Sequence, residues 1–100
     1  MILITGGSGY LGGRIVSNLK SLGHQVRIGK SVESDSNGFP IDLTNDYSID
    51  EACDGISSII HLAGMNTQSC DNDPERALLI NGLGTLKLLK AAKRNRVTKF

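Results

Sequence analysis

The 100-residue chain has no tryptophan, two tyrosines, two phenylalanines, two cysteines and two prolines. Its acidic and basic residues nearly cancel, ten against eleven, leaving a net charge of +1. Each scarcity closes a class of function. The balanced charge gives no global pull toward nucleic acid or a membrane surface. No apolar run approaches the ~18 residues needed to cross a bilayer. Met1–Thr5 reaches Gly6-Gly7 too soon to be the apolar segment of a signal peptide. Cys53 and Cys70 have no CxxC spacing, so they read as reduced thiols and not as a disulfide frame or a zinc module; no metal site is expected. What is there is globular: 39% apolar, 21% charged and twelve glycines, too apolar for a disordered chain. A chain of this length holds one small domain that buries little more than ~60% of its unfolded surface. A small cytoplasmic α/β domain is the class that remains.

Charge is segregated along the chain. Residues 1–32 carry four cations and no acid, residues 33–75 carry all ten acids and no Lys or Arg, and residues 76–100 carry seven cations and no acid. The C-terminal cations sit among regularly spaced leucines, so they read as the solvated face of a helix and not as a patch for an anionic partner.

Apolar spacing predicts alternating strands and helices. Met1–Thr5 is a short buried strand that stops at glycine. Tyr10, Leu11, Ile15, Val16, Leu19 and Leu22 repeat at helical spacing, with Gly23 as the stop. Gln25–Gly29 reads as a second strand, 31–38 as a polar loop, and Phe39–Leu43 as a brief third strand held to an edge by Pro40. A short helix is predicted near Ser48, a fourth strand at Ser57–Ala63, and a polar loop over Met65–Ser69. Asp73-Pro74-Glu75 opens a long helix that should run to about Asn95, and Val97–Phe100 begins a fifth strand. Strands separated by helices imply parallel βαβ units. The expected fold is therefore a doubly wound parallel α/β sheet, its N-terminal half. A fifth strand that only begins at the C-terminus suggests the front half of a larger domain, since an open edge beside the fourth strand is an aggregation liability.

Thr5-Gly6-Gly7-Ser8-Gly9-Tyr10-Leu11-Gly12 carries the strongest chemical signal. Its glycines follow a strand and open a helix. Gly6 permits a tight turn, Gly9 lets the backbone approach a pyrophosphate, and Gly12 lets the helix pack close to the strand. Free N–H groups at the helix start favour phosphate charge. No Gly-Lys-Ser/Thr follows, so this is not a P-loop. About 20 residues on, an NAD site wants an acid for the ribose 2′-hydroxyl; here stands Lys30, with no acid before Glu33. A lysine attracts a 2′-phosphate, with Arg27 or Arg14 able to add charge, which favours NADP over NAD. The alternative, Lys30 merely exposed and Glu33 curling back to the ribose, stays open.

Four motifs in order resemble the N-terminal part of the extended short-chain dehydrogenases/reductases, the NAD(P)-dependent epimerase/dehydratase family of nucleotide-sugar enzymes. They are the glycine loop; Asp42-Leu43-Thr44; Ile60-His61-Leu62-Ala63-Gly64; and Asp73-Pro74 with Asn81-Gly82-Leu83-Gly84-Thr85. The resemblance makes the expected sheet Rossmann-type, with strand order 3-2-1-4. It implies that Asp42 binds the adenine amino group, although a loop-capping role for it is also open. It implies a cofactor-binding set of Gly6, Ser8, Gly9, Tyr10, Leu11, Gly12, Lys30, Asp42, Leu43, Leu62, Ala63, Gly64 and Asn81. The small Ala63 and Gly64 would let the nicotinamide ribose approach; close packing is the other reading. For Asn81, structural and functional roles stand level. His61 lies in an apolar strand and reads as a structural, hydrogen-bonded histidine.

The family's chemistry needs a Tyr-x-x-x-Lys pair, the tyrosine moving a proton while the cofactor exchanges hydride. Tyr10 and Tyr47 are followed four residues later by Arg14 and Glu51, so no catalytic residue is expected in this chain, and these residues alone should not turn over. The resemblance further implies NAD(P), a nucleotide-sugar substrate met through residues not present here, and a possible homodimer through the 74–95 helix; the lean to NADP comes from Lys30, which departs from the Asp that many NAD-using members carry there. A non-catalytic NADP-sensing module and an inactive fragment are the alternatives.

Overall fold

The short apolar runs form four parallel strands in the computed structural model, which describes all residues from Met1 to Phe100. They are β1 (Ile2–Thr5), β2 (Val26–Ser31), β3 (Phe39–Ile41) and β4 (Ser58–His61). Their order is β3-β2-β1-β4, so the strand order read from the sequence is the one observed. β1 is central. Its Ile4 pairs with Ile28 on one side and Ile60 on the other. Leu3 and Ile4 are fully buried, as a strand covered on both faces should be. β3 lies at the edge, where Pro40 costs no ladder bond. The fifth strand is a start only: Lys99 bridges Ser58 in parallel, with Ile59 N–H donating to the Lys99 carbonyl at 2.9 Å.

One face of the sheet is closed by α2 (Asp46–Cys53) and α5 (Thr85–Arg94). Leu3, Ile41, Ile49, Cys53, Ile59, Leu88 and Ala91 meet there in one core. Arg94 grips Asp50 across the two helices, with Nη2 at 2.9 and 3.0 Å from the carboxylate oxygens. That contact, with Lys87 on Asp46 at 3.2 Å, joins the basic C-terminal segment to the acidic middle one. Burial pushes the Cys53 thiol up to about 11, which keeps it un-ionised and unreactive.

The opposite face carries α1 (Tyr10–Ser21), which buries only Gly12 and Val16. Leu11 and Leu22 of the predicted apolar stripe stay exposed. Several local predictions need correction. β3 and β4 each stop two residues sooner than read, at Ile41 instead of Leu43 and at His61 instead of Ala63. β2 runs two residues further than the periodicity suggests, so Lys30 is a strand residue paired with Pro40. Thr67, Gln68 and Ser69 are not loop but part of α3 (Thr67–Asn72), whose N-cap Asn66 accepts from Ser69 N–H at 2.8 Å. The long helix is not uniform: α4 (Pro74–Ala77) leads into a wider π-helical segment, Leu78–Gly84, before α5. Asp73 caps it as predicted, accepting from Arg76 N–H at 3.0 Å.

Candidate functional site

All four strands point their C-terminal ends at one cleft of about 510 Å³, within the usual size for a small-molecule site. Ligands of open parallel sheets bind at this edge. Gly6, Ser8, Gly9, Lys30, Asp42, Leu43, Leu62, Ala63 and Gly64 line it. The structure therefore brings nine of the thirteen sequence-selected residues around one space.

The loop after β1 shows why glycine is needed at two positions. Gly6 has φ +69°, the left-handed region that favours glycine. A Cβ on Gly12 would overlap the Gly6 carbonyl oxygen and lie 2.7 Å from Gly7 Cα, so only glycine lets α1 start this close to the loop. Tyr10, Leu11 and Gly12 are not lining residues. Tyr10 and Leu11 are exposed outside the cleft, Tyr10 lying under Arg14 at 4.6 Å from guanidinium carbon to ring centroid. Their backbone N–H groups are the first of α1 and have no acceptor in the chain, and the helix has neither a side-chain cap nor an acid in its first turn. Orphan donors at the positive end of a helix dipole suit a phosphate. The loop thus fits the pyrophosphate of a dinucleotide.

Asp42 stands at the end of β3. Its Oδ1 accepts from Thr44 Oγ1 at 2.6 Å and from Thr44 N–H at 2.9 Å, and Oδ2 has no partner in the chain. The Thr44 hydroxyl, then the Thr44 N–H, hold its carboxyl below the usual carboxylate range; the charges of Arg76 and Lys87 add to this. Both readings of Asp42 are physically compatible: one oxygen caps the turn and the other is free to accept from an amine.

Beneath the cleft floor lies a buried polar relay that joins β1, β4 and α5. Thr5 Oγ1 accepts from Leu62 N–H at 3.1 Å and Ala63 N–H at 3.2 Å, and lies 2.6 Å from His61 Nδ1. With both lone pairs used, its proton goes to Nδ1. His61 is then the Nε2–H tautomer, donating to Thr85 Oγ1 at 3.0 Å, and Thr85 donates to the Asn81 carbonyl at 2.9 Å. Burial lowers the His61 pKa, in accord with a neutral, structural ring.

Asn81 is not in the cleft wall. From the π-helical segment its Oδ1 accepts from Met65 N–H at 2.8 Å and its Nδ2 donates to the Met65 carbonyl at 3.3 Å. It clamps the loop that leaves β4, and Gly64 leaves room for it: a Cβ there would lie 3.1 Å from Asn81 Oδ1. Arg27 and Arg14, considered as added charge beside Lys30, are elsewhere. Arg27 Nη1 donates to the carbonyls of Ala52 and Asp54 at 2.8 Å each and its guanidinium lies over Phe39. Lys30 itself donates to the Ser34 carbonyl at 2.7 Å. The cation that sequence reasoning missed is Arg76, which lines the cleft from α4; nothing in its local sequence distinguishes it. Tyr47 is exposed, and the neighbouring Glu51 raises its pKa, the reverse of what a proton-transfer tyrosine needs.

The epimerase family model, described as the NAD dependent epimerase/dehydratase family, matches residues 2–100. A 3-beta-hydroxysteroid dehydrogenase of Mycolicibacterium neoaurum is 30% identical over 110 residues, covering 99% of this chain and 30% of its own length. A UDP-glucose 4-epimerase of Rickettsia rickettsii is 31% identical over 116 residues, covering 98% of this chain and 34% of its own. Among solved structures, the Thermus thermophilus UDP-glucose 4-epimerase in complex with NAD superposes with a TM-score of 0.86 at 25% identity, covering 96% of this chain and 34% of that one. A short-chain dehydrogenase/reductase superfamily protein of Agrobacterium tumefaciens with bound NAD gives 0.84 at 30% identity, over 97% and 30%. The chain spans about a third of the length of these relatives. From Ile2 to Phe100, it belongs to the NAD dependent epimerase/dehydratase family.

Proposed function

We propose that this chain is the dinucleotide-binding part of an oxidoreductase-type enzyme that acts on a nucleotide sugar in the cytoplasm. The carrying observation is the cleft itself. The glycine loop that leads into the uncapped start of α1, the half-free carboxylate of Asp42 and the small residues Ala63 and Gly64 line it at three strand ends. The start of α1 would hold the pyrophosphate, Asp42 Oδ2 would accept from the adenine amine, and the Leu62–Gly64 backbone would face the nicotinamide ribose. The bound dinucleotide would supply hydride exchange; the chain's own residues bind and orient it. No tyrosine reaches the cleft, so the proton-transferring Tyr-Lys pair and the sugar-binding residues lie outside residues 1–100 in this reading.

Three finer points belong to the same proposal. NADP is preferred to NAD, because Lys30 stands where an acid would otherwise repel the 2′-phosphate. The substrate is a nucleotide sugar and not a steroid, a choice supported by the UDP-glucose 4-epimerases among the relatives, although hydroxysteroid dehydrogenases are also among them. The protein is a homodimer through residues 74–95, where Leu78, Leu79, Leu83, Leu86 and Leu89 are exposed along one stretch of helix. Calorimetric titration of the chain with NADP and NAD tests the central point. Saturable binding of NADP, tighter than NAD, is expected; a folded chain that binds neither refutes it.

A further inference from the structure

Four charged side chains line the cleft, and all four sit at one end: Lys30, Glu33, Asp42 and Arg76. Arg76 comes from α4 and Glu33 from the loop after β2, so the pair spans the mouth, with Nη2 of Arg76 3.7 Å from Oε1 of Glu33. The backbone of Arg76 is fixed by the Asp73 cap at 3.0 Å. Its guanidinium is near enough to Asp42 to help lower that carboxyl's pKa. It therefore lies between the end of β3 and the loop after β2, beside the end of β2, where the residue that meets the ribose 2′-position of a dinucleotide stands in sheets of this type. The only other cation there, Lys30, already spends one donor on the Ser34 carbonyl.

An ion pair with both partners this exposed, 49% and 79%, is weak and readily exchanged. A phosphate dianion is the stronger partner for a guanidinium, because it can take two parallel N–H···O bonds and carries more charge than a carboxylate. On the reading that this cleft takes a dinucleotide, we propose that Arg76 is a second 2′-phosphate-binding cation. Glu33 holds it until a 2′-phosphorylated dinucleotide displaces the carboxylate. The Arg76–Glu33 pair then sets the discrimination between NADP and NAD: Arg76 adds attraction for the phosphate, and Glu33 opposes it by competing for the guanidinium and by repulsion.

The test is calorimetric titration of NADP and NAD into the full chain, its Arg76→Gln variant and its Glu33→Gln variant, with unliganded thermal midpoints as a folding control. Arg76→Gln should weaken NADP about tenfold or more, the scale of a lost hydrogen bond to a charged group, while NAD stays within about twofold. Glu33→Gln should tighten NADP several-fold and leave NAD nearly unchanged. Raising the salt concentration should weaken NADP less in Arg76→Gln than in the unaltered chain. Equal weakening of both dinucleotides by Arg76→Gln would show that Arg76 only packs on the adenosine, and would overturn the proposal. So would no change in either, or weaker NADP binding by Glu33→Gln. An unaltered chain that is folded but binds neither dinucleotide removes the dinucleotide reading itself, a different failure from a wrong assignment of Arg76.

Discussion

Replacing Thr5 with valine keeps the shape of the side chain and removes one oxygen, and the consequence follows from that oxygen's partners. Thr5 is 1% exposed, so no bulk water replaces what is lost. Leu62 N–H retains its ladder bond to the Thr5 carbonyl at 3.1 Å. Ala63 N–H and His61 Nδ1 have no other partner. Two polar groups are thus orphaned, one buried and one at the cleft floor. Each costs about 1–3 kcal/mol; since Ala63 is only half buried, the sum falls near ~2–4 kcal/mol. Thr5→Ser keeps the hydroxyl and loses one buried methyl, about 0.8 kcal/mol. Urea unfolding should therefore find the unaltered chain most stable, Thr5→Ser next and Thr5→Val least. Apolar burial alone ranks the two variants the other way, because valine keeps the methyl that serine lacks. A Thr5→Val chain as stable as Thr5→Ser, or more so, would refute the relay as a structural element.

Further outcomes follow from particular residues. Burial lowers the His61 pKa below its ordinary 6.5, so below pH ~6.5 the unfolded chain binds a proton that the folded chain refuses. Stability should fall as pH drops through that value and level off below the folded pKa; a His61→Gln chain whose urea midpoint varies with pH as steeply between pH ~8 and ~5 would contradict this. Gly12→Ala forces a Cβ onto the Gly6 carbonyl and Gly7 Cα, backbone that cannot rotate aside. A loss of about 1–3 kcal/mol is expected, read by denaturant unfolding, together with weakened dinucleotide binding. Arg96 has φ +60° at the end of α5, where Val97 N–H reaches the Ala92 carbonyl at 2.9 Å in a Schellman closure. Arg96→Gly should raise stability by about 0.5–1 kcal/mol in thermal or urea unfolding, since a Cβ at this φ is unfavourable.

What the sequence reveals depends on whether a role is set by neighbours along the chain or by the fold. Gly6 and Gly12 are legible because a sharp strand-to-helix turn tolerates no Cβ, and that constraint is written within seven residues. Asp42 and the Ile60–Gly64 run are legible because strand ends follow from apolar runs and turn residues. The Asn66 cap is hard to see because α3 buries none of its residues; its start rests on a cap, with no apolar periodicity to announce it. Arg76 and Arg27 look alike as isolated basic residues. One faces the cleft and the other closes the end of α2 only because β2, α2 and α4 are brought together by the fold. The relay through Thr5, His61 and Thr85 joins residues 80 positions apart in sequence, so a structural histidine is readable but its partners are not. The π-helical segment has no signature beyond Asn81 and two glycines inside an otherwise helical run.

The claim that this cleft holds a dinucleotide is tested most directly by titrating NADP into the isotopically labelled chain and following its backbone amides by NMR. Saturable shifts are expected at Gly6–Gly12, Asp42–Thr44 and Leu62–Gly64, the three backbone stretches around the cleft, with the outer faces of α2 and α5 unmoved. A folded chain whose amides do not respond, or whose responses cluster away from those stretches, would contradict it.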